Sequence, residues 1–378
     1  MSGGIRQRKH QKMKIGTLTF HNAANYGAVL QTYALIKVLQ ALGVESEVIN
    51  YLSPFNEKRF RKKPLRNYLK PRELYNVIFN NSYQKYNNEI FHNFVAEFIP
   101  LSDDVYSSQT DLKNVENNYD AIIVGSDQIW NLACTEGDDS FFLPFVKNTS
   151  KKNSYAASFG FTEIIPSQRE KYASLLHDFN NISVREDEGV TIVRELCGHE
   201  AVKVEDPTIL LNEKDWGIIA DYSKCPLGCE YLLLYLMSED KDIIRFAQNY
   251  ARKHSLNIVY ITQRFMKRIK KAIYLRDVTP CQWVGLFLKA NTIVTNSFHG
   301  SAFAVNFKKN MFIKTIPHSI ANSRLISLIS QYDLKSRLIN NVGQVDYEPI
   351  ESVKISEILE KRRKESLVFL KKVIQQIK

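Results

Sequence analysis

Short apolar runs rich in β-branched residues alternate along this chain with longer stretches whose apolar positions recur at helical spacing. That alternation predicts strands and helices in turn. KIGTLTF (14–20) reads as a strand, YGAVLQTYALIKVLQAL (26–42) as a helix closing at Gly43, and VESEVINY (44–51) as the next strand. An irregular basic section, 52–118, follows, with a helical stretch at about 72–98. DAIIVG (120–125), SYAAS (154–158) and ISV (182–184) read as short buried strands, the last leading into a helix from about 187 to 196. Residues 198 to 228, with Pro207, Pro226 and several glycines, interrupt the rhythm. It restarts with YLLLYLM (231–237), a helix at 240–254, NIVYIT (257–262), a helix at 280–290, TIVT (292–295), a helix from 300 and MFIKT (311–315).

This is the pattern of parallel α/β layers, and its restart divides the chain in two. The expected architecture is α/β, with two doubly wound Rossmann-like domains over 13–197 and 198–350 and a cleft between them. A flexible leader at 1–12 and a long amphipathic helix at 351–378 complete it. In such sheets ligands lie outside the carboxyl ends of the strands. Chemistry is therefore expected at the strand-to-helix junctions.

Four junctions carry suitable residues. After the first strand, HNAANYGAVLQ offers Asn22, Asn25, Tyr26 and Gly27 beside the free N–H groups of a helix start, suited to an anion or sugar hydroxyls or simply to a cap. No G-x-G-x-x-G dinucleotide fingerprint occurs there or elsewhere. In VGSDQIWN, Ser126 and Asp127 stand at a sheet edge, where Asp127 either caps the following turn or serves a hydroxyl as base if its surroundings raise its pKa. Trp130 offers a flat face for a sugar ring or a core filler. In ISVREDEG, Arg185 either grips a carboxylate or phosphate with two parallel bonds or pairs with its own acidic neighbours. In TNSFHGSAFAV, Ser297, His299, Gly300 and Ser301 bring hydroxyls, backbone donors and an imidazole to one helix start, an anion clamp with a proton to offer.

Taken in order, GTLTFHNAANYGAVLQTYAL, YDAIIVGSDQIWN, SYAASFG, ISVREDEGV, VEDPTILL and TNSFHGSAFAV resemble the polysaccharide pyruvyl transferase family, from residue 16 to about 307. The resemblance implies a two-domain fold like that of the GT-B glycosyltransferases. It implies transfer of pyruvate from phosphoenolpyruvate onto two hydroxyls of a sugar, forming a cyclic ketal on a bacterial surface polysaccharide or its lipid-linked precursor. Arg185 matches the family arginine that would hold the donor, and His299 the family histidine that would bind phosphate or supply a proton. Asp127 would be the base for the sugar hydroxyl. Asn25, Tyr26, Gly27, Ser126, Trp130, Ser158, Ser297, Gly300 and Ser301 would line the substrate site. Where some members carry an arginine two residues before the histidine, this chain has Ser297, so the donor's second cationic contact would come from Lys or Arg elsewhere. No cofactor and no metal are expected, and acceptor recognition is expected in section 52–118. A nucleotide-sugar glycosyltransferase of the same fold, or a non-catalytic binding module, are the competing readings.

Composition adds exclusions. With 44% hydrophobic and 24% charged residues the chain is neither largely disordered nor, lacking a long apolar run, membrane-spanning. The leader MSGGIRQRKHQK has no apolar centre and is not read as a secretory signal, so a cytoplasmic location is expected. Five cysteines are too few, and odd in number, for a disulfide framework; Cys225 and Cys229 lack the second ligand pair of a closed zinc site. The formal charge of +11 is unevenly spread, with a dense basic block in EKRFRKKPLRNYLKPRE (57–73), read as a solvated loop, a peripheral contact with an anionic membrane or a contact with a phosphorylated substrate. No nucleic-acid signature accompanies it, and no nucleic-acid partner is expected.

Overall fold

The helix predicted after the first strand forms over Tyr26–Ala41, and its sequence is apolar on nearly every side. A helix of that kind must be covered all round. In this computed structural model, which describes residues 12–53, 88–262, 269, 271–316, 322–340 and 345–377, it is covered by both halves of the chain. Asn25 caps it, its side-chain oxygen accepting from the Ala28 N–H. Tyr26 stacks on Trp283 at 5.5 Å and donates its hydroxyl to the Val278 carbonyl, so the first turn is locked to the second half.

Each half is a parallel sheet of five strands with the same winding. The first runs β3–β2–β1–β4–β5, formed by β1 (Lys14–Leu18), β2 (Glu45–Tyr51), β3 (Leu101–Tyr106), β4 (Ala121–Val124) and β5 (Lys152–Ser154). A short parallel pair, β6 (Ser183–Val184) and β7 (Val202–Lys203), extends it through a bridge from Ala157 to Val184. The second runs β10–β9–β8–β11–β12, formed by β8 (Tyr231–Tyr235), β9 (Asn257–Ile261), β10 (Ala272–Leu275), β11 (Thr292–Thr295) and β12 (Asn310–Ile313). The winding reverses between β1 and β4 and again between β8 and β11. Ligand crevices form at such switch points.

The helix Ser352–Ile377 returns across both halves. Phe369 packs on Tyr155, Ser366 bonds the Glu205 N–H, and Arg363 reaches the Ile209 carbonyl and Asn306. One apolar cluster runs from Ile15 and Ile123 through Trp216, Trp283 and Phe303 to Leu370, so the halves share a core.

Some elements differ from those expected from sequence. β5 is Lys152–Ser154, two residues earlier than the predicted 154–158, because Ala156 adopts a positive φ of 51° and breaks the strand. In the section 52–118 the helical stretch expected at about 72–98 forms over 88–98, residues 72–87 lying outside the described residues, and β3 is a strand that was not expected there. β7 pairs with β6, so sheet membership carries the first half past 197 to Lys203. The basic block 57–73 and the leader up to residue 11 lie outside the described residues.

Candidate active site

The two switch points face each other, and four side chains from four elements meet between them. Arg185 leaves the end of β6, and Asp127 follows β4. Asp206 caps the short helix Pro207–Leu210 just after β7. His299 follows β11, in the first turn of the helix Phe298–Asn306. Ser297 is its N-cap, accepting from the Gly300 N–H, so the helix begins two residues before the predicted start.

Asp206 is the hub. One carboxylate oxygen accepts from Arg185 Nη1 at 2.7 Å and from the Ser126 hydroxyl at 2.9 Å, and lies 3.8 Å from His299 Nε2. The other accepts the Thr208 N–H at 3.0 Å and its hydroxyl at 2.7 Å. Burial acts to raise its pKa, but the His299 and Arg185 charges and the Thr208 bonds outweigh it and hold Asp206 down at about 2. His299 is pushed the other way: burial lowers its pKa below 6.5, and Asp206 and Asp127 do not offset that. With the imidazole neutral at neutral pH, the standing counter-charge of Asp206 is Arg185.

The imidazole is also fixed from the first half. A Cβ on Gly27 would lie 2.0 Å from His299 Nδ1, so only glycine lets the helix Tyr26–Ala41 approach the ring this closely. Gly27 therefore works through His299.

A second guanidinium, absent from the sequence reading, completes the cluster. Arg324 stands at the start of the helix Asn322–Gln331, with Nη1 3.5 Å from Asp127 Oδ1. Arg185 Nη2 approaches the same oxygen at 3.6 Å. Both guanidiniums lie over the Phe298 ring, at 4.5 Å for Arg185 and 5.6 Å for Arg324. Burial first, then the Arg185 charge, lowers Arg324 to about 10, which leaves it protonated at neutral pH. Among the described residues no protein group accepts from Arg185 Nε or Nη2 or from Arg324 Nε, and His299 Nε2 has no hydrogen-bond partner. Buried donors in this state favour an anion. No motif marks Arg324, and no element is expected from sequence between 315 and 351; tertiary packing brings its helix to the site.

Several predicted contacts turn out to be supports. Trp130 is fully buried, stacked on Phe142 and bonded through Nε1 to the Phe141 carbonyl, so no sugar ring reaches it. Tyr26 is likewise buried, against Trp283. Ser126 holds Asp206, and Ser301 donates to the Ser297 carbonyl. Ser158 donates to Glu186, which is wholly buried and also accepts from the Phe159 and Gly160 N–H groups. Burial raises the Glu186 pKa. Gly300 has no room for a side chain, since a Cβ would lie 2.6 Å from Thr295 Oγ1. The condition set for Asp127 is not met: burial raises its pKa, but Arg185, His299 and Arg324 prevail and lower it. Cys225 and Cys229 are free thiols. Among the described residues no group of three or more His, Cys, Asp or Glu side chains is placed to hold a metal. None of their helices is long and apolar enough to cross a membrane.

A family model described as polysaccharide pyruvyl transferase matches residues 25–314. No curated protein matches the sequence significantly. Among solved structures, the UDP-N-acetylglucosamine 2-epimerase from Rickettsia bellii is similar at 10% identity and a TM-score of 0.54, over 97% of this chain and 96% of that one. The UDP-GlcNAc 2-epimerase from Neisseria meningitidis bound to UDP-GlcNAc is similar at 12% identity and a TM-score of 0.50, over 96% of this chain and 100% of that one. At such identities the likeness shows the fold alone: two Rossmann-like domains of the GT-B type.

Proposed function

The chain belongs to the polysaccharide pyruvyl transferase family, and from that premise we propose that it moves pyruvate from phosphoenolpyruvate onto two hydroxyls of one sugar. The product is a cyclic ketal on a surface polysaccharide or its lipid-linked precursor. The observation that carries this reading is the pair of buried guanidiniums, Arg185 and Arg324, converging beside His299 with N–H groups that no described protein group accepts. Phosphoenolpyruvate brings a carboxylate and a phosphate, and such a pair grips planar anions with parallel charge-assisted bonds. In this reading Arg324 supplies the donor's second cationic contact, which Ser297, standing where some family members carry arginine, cannot give.

In this reading the donor's charge raises the His299 pKa from its lowered value, and the protonated imidazole passes its proton to the methylene carbon. Carbon two becomes electrophilic. A sugar hydroxyl adds there and gives up its proton, and phosphate leaves with the electron pair of its C–O bond. The second hydroxyl then closes the ring and releases its own proton. Asp206 keeps Arg185 and His299 in register, and Asp127 faces the incoming hydroxyl.

Phosphate release from phosphoenolpyruvate with galactose, glucose and N-acetylmannosamine acceptors tests the reading. The expected outcome is release that depends on one of these sugars. Consumption of a nucleotide sugar, with phosphoenolpyruvate untouched, would replace it with glycosyl transfer.

A further inference from the structure

Of the three carboxylates near the arginines, Glu186 accepts from Ser158 and from the Phe159 and Gly160 N–H groups, and the other two, Asp206 and Asp127, are not equivalent. Asp206 has no exposed surface and receives four close donations, from Arg185, Ser126 and both donors of Thr208, at 2.7 to 3.0 Å. It is an anchor. Asp127 has 16% of its side chain exposed, and among the described residues only the Gln128 N–H lies at a full bonding distance, 2.9 Å. Its contacts with Arg185 and Arg324 are loose, at 3.6 and 3.5 Å, and both fall on the same oxygen.

The backbone holds Asp127 in this position. Its φ of 78° is left-handed, a conformation that costs a non-glycine residue on the order of 1 kcal/mol or more. The Ser158 N–H bond to its carbonyl and the Ala157 bridge keep it there. A carboxylate is thus presented to two arginines from a fixed loop without closing on either. A ligand carboxylate making two bonds at ordinary length would take the guanidiniums from it without moving that loop.

We propose that Asp127 holds the place of the donor's carboxylate between Arg185 and Arg324 and is released when the donor binds, becoming the base for the acceptor hydroxyl, so that the donor binds first. This rests on the pyruvyl-transfer reading and goes further, since it assigns an order and a cause for it. The Arg185 and Arg324 charges, together with that of His299 when it is protonated, hold Asp127 ionised and weakly basic against its burial. Once the donor's carboxylate neutralises them, burial and the donor's negative charge both favour the protonated form. The hydroxyl proton then passes to Asp127 as the sugar oxygen bonds to carbon two, while the proton gained at the methylene carbon comes from His299. An acceptor arriving first meets a carboxylate still spent on arginine.

Calorimetric titration of phosphoenolpyruvate, without acceptor, into the wild-type chain, Asp127→Asn and Asp127→Gly separates the possibilities. The glycine variant suits the left-handed backbone and guards against misfolding of the first. Removing the resident carboxylate should tighten donor binding by about tenfold, because a like charge beside the ligand is lost, while turnover nearly disappears. In the wild type, bound phosphoenolpyruvate chased with acceptor should be trapped as product, and bound acceptor chased with donor should not. Unchanged or weaker donor binding in both variants, or trapping of the acceptor, overturns the stand-in role with pyruvyl transfer left in place. If the wild type neither binds nor turns over phosphoenolpyruvate, the function and this inference both fall.

Discussion

Gly27 shows how much a single position can decide. Its missing side chain leaves room for His299 Nδ1 from the other half of the molecule. Gly27→Ala must displace the imidazole from its present position, and misplacing a reacting group by an ångström costs on the order of a hundredfold in rate. The expected outcome is a fall in kcat of at least tenfold, with thermal stability reduced far less, measured by steady-state kinetics and a melting curve. Wild-type kinetics would mean that the ring is not held for chemistry. The His299 proton can be followed directly. Its pKa in the free protein lies below 6.5 because burial disfavours the cation. In a titration by NMR it should stay neutral at pH 7 and move upward on adding phosphoenolpyruvate or inorganic phosphate. The sign for stability follows: the unfolded chain takes up this proton near 6.5 and the folded one does not, so the group costs stability as pH falls below that value. His299 and Arg185 were legible because both stand directly after apolar strands, at the carboxyl edge. Trp130 misled for the same reason: its position in the chain is right, but Phe142, Phe159 and Phe179 enclose it.

Among the elements, the helix Asn322–Gln331 matters most for the site and was not anticipated. It delivers Arg324 at its start, and Gln331 at its end donates to the buried Glu205 carboxylate, one residue before Asp206. Arg362, Tyr332 and Lys203 also act on that group, yet burial dominates and raises its pKa to about 7. The unfolded chain releases this proton near 4.5, whereas the folded chain keeps it until about 7, so Glu205 costs increasing stability as pH rises through that window. Over the full window this is on the order of 3 kcal/mol. Glu205→Gln should therefore melt like the wild type at pH 5 and several degrees higher at pH 8. A stability gap that does not grow with pH would show that Glu205 is ionised in the fold. The strands missed by periodicity are edge strands. β3, LSDDVY, exposes its acidic centre and shows no apolar run like those of β1, β4, β8 and β11, whereas β10, AIYL, is apolar but short and only half covered at the sheet edge.

At the scale of the molecule, the doubled winding was legible because each half repeats the same strand–helix rhythm. The C-terminal helix is legible as an amphipathic stretch and forms over Ser352–Ile377, but the shared core and the return of that helix across both halves come from contacts remote in sequence, which no local pattern marks. The basic block at 57–73 enters here as an expectation from sequence. Arg59, Arg61, Lys62, Lys63, Arg66 and Lys70 are each worth about 1 kcal/mol at an anionic surface, screened beyond roughly 10 Å at moderate salt. Replacing the six with Gln should abolish sedimentation with anionic vesicles and spare activity on a lipid-free sugar. Retained vesicle binding would remove the membrane role, and lost activity would move the block into the active site.

If the cluster of Arg185, Arg324 and His299 serves pyruvyl transfer, mass analysis of the acceptor will register it. With phosphoenolpyruvate and a competent sugar, the wild-type chain should add the mass of pyruvic acid less water, with one phosphate released per sugar modified. Arg185→Lys, unable to keep two parallel bonds, should form the same product more than tenfold more slowly, matching about 2 kcal/mol or more of lost transition-state binding. An acceptor that gains a hexose from a nucleotide sugar, or a product formed at full rate by Arg185→Lys, would contradict the account.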